Sequence, residues 1–577
     1  LPAQSGEEQQ DRPGGQNEAR MGDKEERSPL LGVGTAPKGP GAACVAVLVA
    51  QALEQVAFCS ISTSLVPYLS SSSTFGWGGT QAAQASLLFL CASDLLSPVG
   101  GWVADVYLGC HGTLLLSFSL CLLVACLLPV ATTLDGRLSL CGQLPPGTIQ
   151  NCSWIHGGAC QGQPPELYCA PTIYTSLLLL ALGVSSIKAN LGPFGADQVL
   201  GQAGNATRCF FSWFSWSTSL GAAFSLLLVA SVQHSISFLA TYLIPVACLA
   251  LVLLLFLLAT PTFIIQPPVG SQVSSMIKLA LKTFGCARLG KMRASAGRWE
   301  AEELLPSSRA QPGAPSAEDD LANFQVLSRL LPVVLTFVPH RVVCWQVRWE
   351  AASVPGRGPG CCWFHPGAAG PRSHHLAAFQ MLSTYHLQDA WLLLASAVVP
   401  LALVPLKDYI FDPFLASRKL LPSALQQMAL GMFFSLTSIL TAGSLEWARL
   451  RYVRGEQLVP RLDVAATLPV WWQLPQYLLL GIGELFISIS TLQFACTEAP
   501  RSMKGAVLGL FFFTSGLGSL LGEGLLSLLS EPTRGWVHCP TDPGSRDHCR
   551  TDSYFFLLGG VQLTNCLLFS CTSRHYQ

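Results

Sequence analysis

The stretch Trp471–Lys504 reads WWQLPQYLLLGIGELFISISTLQFACTEAPRSMK, and its character sets the class of the whole chain. Its first two dozen residues are apolar enough to cross a bilayer as one helix, which takes about 20 residues. Glu484 nevertheless stands near the middle of them. A carboxylate at that depth costs about 2.5 kcal/mol or more, so such residues usually face a water-filled cavity or a partner. Ser488 and Thr491, one and two helical turns on, share its face. The pattern points to a polar site inside a membrane protein; the competing reading is a carboxylate acting as glue between helices.

Composition agrees. Of 577 residues 50% are hydrophobic and 11% charged, and mean hydropathy is +0.44. Soluble domains carry about 25% charged residues, so an all-α membrane protein is expected. The formal net charge of +0 argues against nucleic acid as a partner. No G-x-S-x-G, Walker or H-E-x-x-H pattern occurs, so neither an enzyme, an ATP-driven pump nor a metal or cofactor site is expected. Among the 21 cysteines, Cys141, Cys152, Cys160 and Cys169 share one polar loop, and Cys539 and Cys549 another. Cysteines clustered in loops suggest disulfides on an oxidising side of the membrane, with the pairing open.

Apolar runs of spanning length fall at about 42–69, 82–104, 112–133, 172–192, 210–231 and 236–264, then at 390–410, 422–445, 468–495, 504–530 and 554–572. LLPVVLTFVP (330–339) opens a further span, but the Gly-, Pro-, Arg- and His-rich residues 340–376 are not expected to cross a bilayer as a regular helix. The chain therefore divides into a disordered tail (1–40), a six-helix half (41–264), a polar linker (265–329) and a second half (330–577) carrying an irregular insert (340–378). Loop 265–329 holds eight Lys or Arg residues and loop 135–171 holds only Arg137. Positive loops stay cytosolic, which puts both termini in the cytosol and Asn151-Cys152-Ser153, a glycosylation sequon, in the lumen. Arg449, Arg451, Arg454 and Arg461 in a lumenal loop run against this rule. The tail shows no cleavable signal peptide, and Met21 is a candidate start. Glu26-Arg27-Ser28-Pro29-Leu30-Leu31 matches an acidic dileucine sorting signal, which implies sorting adaptors as partners.

Three intramembrane ionisable groups stand out: Glu54, Lys188 and Glu484. Gln51, Glu54, Gln55 and Phe58 recur at helical spacing and form one polar-edged face of the first span. A buried lysine and a buried carboxylate on different helices lower each other's cost by pairing, and such a pair can exchange a proton as water enters or leaves. The competing reading lets Lys188 snorkel to the interface near Asp197. GGWVADVYLG (100–109) closes the second span: Gly100 allows close helix approach, Asp105 can accept from amides or a basic neighbour, and Gly109 permits the turn. Asp94, within the same span, has no role that the pattern explains.

KANLGPFGADQV (188–199), GGWVADVYLG (100–109), FFSWFSWSTSLGA (210–222) and GELFISISTLQFACTEAPRSMKG (483–505) resemble signatures of the proton-coupled oligopeptide transporters, and 259–281, 403–408 and 419–434 resemble their peptide/histidine branch. The resemblance implies a major facilitator fold of nominally 12 transmembrane helices, two six-helix halves rocking about a midplane site, here with the seventh helix disrupted. It implies endolysosomal membranes, and small peptides, histidine and protons as cargo. Carried over by residue, Glu484 resembles the glutamate that receives a peptide's amino group, and Lys188 the lysine that meets its carboxylate. Glu54 matches the second acid of an E-x-x-E-R motif, whose first Glu is Gln51 here and whose Arg is Gln55. Phe58 stands for an aromatic that follows the motif, Ser219 and Ser396 stand where the family has Asn, and Gln493 replaces a Glu. Glutamine cannot titrate, so two of the three coupling charges are absent. The implied function is proton-driven export of histidine and di- or tripeptides from an acidic lumen. The alternative is a copy that no longer transports and serves as a membrane scaffold for cytosolic partners.

Overall fold

The computed structural model describes residues 40–71, 74–142, 169–199, 206–235, 238–267, 317–352, 381–382, 390–456, 466–500, 503–530 and 551–576. In chain order its helices are α1 (Pro40–Ser70), α2 (Gly79–Leu95), α3 (Ser97–Val103), α4 (Gly109–Ala125), α5 (Leu127–Thr132), α6 (Leu134–Cys141), α7 (Ala170–Asp197), α8 (Ala206–Ser235) and α9 (Phe238–Ala259). The second half follows with α10 (Ala317–Ala352), α11 (Ala390–Leu406), α12 (Asp412–Ser417), α13 (Ala424–Glu456), α14 (Leu474–Glu498), α15 (Lys504–Ser530) and α16 (Thr551–Tyr576). Two short strands, β1 (Met381–Leu382) and β2 (Ala466–Pro469), pair in parallel. The sorting residues Glu26, Leu30 and Leu31, the sequon at Asn151, and Cys152, Cys160, Cys539 and Cys549 lie outside the described residues.

Among the described residues, ten helical stretches are long and apolar enough to cross a membrane. One of them, Gly79–Thr132, is 54 residues long, which at about 1.5 Å per residue exceeds any single crossing. Gly109 divides it: its φ of +71° is costly for a residue with a Cβ, and it ends the π-helical turn Ala104–Leu108 before α4 begins. The helix α8 adds a further element of 30 residues.

In hydrocarbon, helices gain little from hiding apolar surface from one another, so small residues at contacts decide which pairs pack closely. Gly183 of α7 lies against Cys121 of α4, and Gly221 of α8 against Ala52 and Gln55 of α1. Between the halves, Gly101 of α3 meets Gly505 of α15, and Gly509 meets Ser97 and Pro98. A Cβ at Gly101 would overlap the Gly505 carbonyl, so this approach tolerates glycine alone.

The seventh helix corrects the sequence expectation. Instead of breaking at 340, α10 runs through Pro332 and Pro339 to Ala352, and its membrane-spanning part covers Gln325–Val347. His340, Val343, Cys344 and Val347 recur on one face and are all buried, the last three in a cluster with Ile439 of α13, Leu480 of α14 and Leu558 of α16. The Gln562 side-chain amide of α16 also donates to His340 Nδ1 at 3.1 Å, and the His340 ring lies 3.3 Å from the Cys344 thiol. This packing outweighs the local cost of Pro339, which removes one backbone bond. The helix also begins inside the expected linker, at Ala317 instead of 330.

Candidate functional site

Helix α7 carries Lys188 in LLLLALGVSSIKANLG, where small residues thin the helix surface and let neighbours close in. Ser186 lies directly against Gly100, and the Asn190 amide donates to the Gly100 carbonyl at 3.1 Å. Lys188 is thereby brought onto α2. Its Nζ donates to Asp94 Oδ1 at 2.7 Å and to Ser93 Oγ at 3.2 Å, and it stands over the Phe58 ring of α1, 4.3 Å from the centroid. Phe58 in turn packs on Phe89 of α2 at 5.8 Å.

The pairing partner differs from the expected one. The expected Glu54–Lys188 pair is not formed at contact distance: the ion pair of Lys188 is with Asp94. The reason is topological, because α2 packs broadly on α7 whereas α1 chiefly packs on α8 and α9. Glu54 is 3% exposed and feels the Lys188 charge through space. Gln51 is also buried. Gln55 turns back along its own helix, donating to the Cys59 sulfur at 3.1 Å. Asp94, which the pattern left without a role, is thus the residue that sequence reasoning missed. An aspartate deep in an apolar span was itself the available signal.

In the second half, Glu484 is partly exposed on α14. Gly481, one turn earlier on the same face, packs on the backbone of buried Ser396 of α11. Thr491, two turns after Glu484, is buried with its hydroxyl unpartnered. Ser219 on α8 bonds back to the Ser215 carbonyl at 3.1 Å. The halves meet where Gly192 of α7 faces Leu492 of α14: a Cβ at Gly192 would lie 3.2 Å from a Leu492 methyl. Lys188 lies one turn before that contact and Glu484 two turns before it, about 6 and 12 Å along their axes. The two helices run the same way, since Asp197 at the end of α7 pairs with Lys504, just beyond α14, at 2.9 Å. Lys188 and Glu484 therefore lie on the same side of the inter-half contact.

The motif at 100–109 supplies a seam between the halves. Asp105 Oδ2 accepts from the Ala506 backbone amide at 2.9 Å, at the N-terminal turn of α15, where free amides favour an anionic partner. A second seam joins α8 to α11: Trp216 Nε1 donates to the Leu401 carbonyl at 3.2 Å, and Lys407 Nζ donates to Ser212 Oγ at 3.3 Å. Lys407 also pairs with Asp412 at 2.8 Å and Asp408 at 3.2 Å. Elsewhere Cys141 and Cys169 are joined in a disulfide, their Cα atoms 5.1 Å apart.

The family model described as PTR2: POT family matches residues 152–326 and 377–538. The chain belongs to the POT family. Solute carrier family 15 member 3 of Mus musculus is 47% identical over 563 residues, covering 96% of this chain and 95% of the relative. The Rattus norvegicus protein of the same name is 47% identical over 564 residues, with the same 96% and 95% coverage. The crystal structure of a POT family transporter in complex with a thioalcohol-conjugated peptide has a TM-score of 0.57 at 14% identity and covers 92% of this chain and 96% of its own. This chain is therefore a multi-pass membrane transporter of the proton-coupled oligopeptide class, with a POT-type major facilitator fold, and not an enzyme.

Proposed function

We propose that the chain is a proton-driven symporter that moves histidine and di- or tripeptides from the endolysosomal lumen to the cytosol. One observation carries the reading. An ammonium on one half, Lys188, and a carboxylate on the other, Glu484, lie on the same side of the Gly192–Leu492 contact. A zwitterionic substrate presents a carboxylate and an amino group at its two ends, so charges from two halves match it with few demands on its side chains. Ser219, Ser396 and Phe58 would line its path as polar and aromatic neighbours, and Gln51, Glu54 and Gln55 would serve coupling beside Lys188. A solved relative of the same fold holds a conjugated peptide, which supports peptides as cargo here.

The dileucine pattern Glu26–Leu31, the sequon at Asn151 and the Lys and Arg bias of loop 265–329 support endosomal or lysosomal membranes with both termini cytosolic. The second reading, a scaffold that does not transport, draws on Gln51 and Gln55, which carry no charge. Flux separates the two. The full chain in proteoliposomes, with acid outside, should accumulate labelled histidine and a labelled dipeptide. Glu484→Ala should lower that uptake about tenfold or more, the loss expected when a charged hydrogen-bonding partner is removed. Wild-type uptake by Glu484→Ala would remove Glu484 from the site, and no uptake by the parent protein would favour the scaffold.

A further inference from the structure

The geometry points to Asp94 as the proton-carrying partner of Lys188, standing in for the charges that Gln51 and Gln55 do not supply. Protonation of its carboxylate releases the Lys188 ammonium to a substrate carboxylate, and loss of the proton re-forms the pair. This rests on the symport reading above but adds a residue to which neither the sequence motifs nor the family resemblance gives a role.

Three observations carry it. First, Asp94 is the acid in contact with Lys188, at 2.7 Å, and Ser93 Oγ at 3.2 Å offers the ammonium a second acceptor when the pair opens. Second, the acids around Lys188 differ in access. The side chains of Lys188 and Asp94 are 18% and 17% exposed, whereas Glu54 is 3% exposed. The Asp94 pair therefore keeps open surface where Glu54 keeps almost none. Third, Asp94 lies at a discontinuity that touches the other half. Helix α2 ends at Leu95, α3 starts at Ser97 with Pro98 in its first turn, and Gly516 and Gly509 of α15 press on Cys91, Leu95, Ser97 and Pro98. A change in the Lys188–Asp94 pair thus occurs beside the seam across which the halves must move.

Charge counting gives the step its direction. Among the described residues, Lys188 of α7 pairs with Asp94, Glu54 of α1 lies within electrostatic reach of that lysine, and Glu523 of α15 lies, like Asp94, near Cys91. Glu523 is already engaged by the Trp345 indole N–H at 3.1 Å. Asp94, Glu54 and Lys188 sum to one negative charge when all are ionised. A substrate carboxylate adds another, and a half-buried cluster resists carrying both. One proton on a carboxylate oxygen of Asp94 offsets the incoming charge. It breaks the hydrogen bond to Lys188 and leaves every covalent bond of the lysine intact. The proton departs again when the substrate does, so the two travel together.

The test compares the full chain with Asp94→Asn and Asp94→Glu in proteoliposomes, using labelled histidine and dialanine as probes. Asp94→Asn should lower accumulation driven by a pH gradient about tenfold or more and flatten its pH dependence, while Asp94→Glu, which can still titrate, keeps that dependence. An unaltered pH dependence in Asp94→Asn overturns the inference. Infrared difference spectra of the detergent-solubilised chain between acidic and neutral buffer give a readout that needs no transport. The protonated-carboxyl signal should lose a component in Asp94→Asn and shift in Asp94→Glu; unchanged signals in the variant that folds overturn the inference. Should the parent protein take up neither probe, the symport reading falls and the infrared result alone judges Asp94.

Discussion

Lys188 is tolerated inside the bundle because Asp94, Ser93 and the Phe58 ring each replace part of its lost hydration. Removing one member of such a pair strands the other. Lys188→Ala should therefore lower the melting temperature more than the double variant Lys188→Ala/Asp94→Asn does. A double-mutant cycle should give a coupling of about 1–3 kcal/mol, and additive single effects would exclude a working pair. At this scale the sequence is informative about which residues are costly and silent about who satisfies them. Glu54, Lys188 and Glu484 stand out because ionisable groups in apolar runs need a reason. Asp94 stands out for the same reason, yet its partner lies 94 positions away on α7, and only the packing of α2 on α7 joins them.

Helices were more readable than their contacts. Runs of about 20 apolar residues fix the spans because a bilayer demands that length, and the described helices fall where those runs do. The seventh span looks short in the sequence because Pro339, Arg341 and the Gly- and Pro-rich residues beyond 352 resemble a break. Its continuation depends on partners in α13, α14 and α16 that no local pattern reveals. Close approach is the other hidden element-scale feature. Gly101→Val should force α3 from α15, costing about 1–3 kcal/mol in melting experiments, while Gly41→Val, with open space around it, should cost far less. Equal effects would mean that the α3–α15 approach matters little. The disulfide between α6 and α7 spans 28 positions. Cys141→Ser should remove about 3–4 kcal/mol of stability by the chain-entropy estimate, and reductant should abolish the difference between variant and parent.

For the molecule as a whole, rocking of the halves must break what joins them. Two seams do so: Asp105–Ala506 with Lys504–Asp197, and Lys407–Ser212 with Trp216–Leu401. In the first, the side chains of Lys504 and Asp197 are only 13% and 12% exposed, so their pair favours the joined arrangement more than an exposed ion pair would. Opening that end hydrates both groups and removes most of the mutual attraction. Lys504→Ala leaves Asp197 without its ion partner in the joined arrangement alone, which shifts the balance toward the open one. A differential of about 1.4 kcal/mol is a tenfold change in population. Amide hydrogen exchange over 97–108 and 504–509 should therefore accelerate about tenfold in Lys504→Ala. Exchange along α13, which packs within the second half, should hardly change. Uniform acceleration would mean that the substitution loosens the fold, and none at all would mean that the seam is held by Asp105 and the glycines of α3 and α15, independently of Lys504.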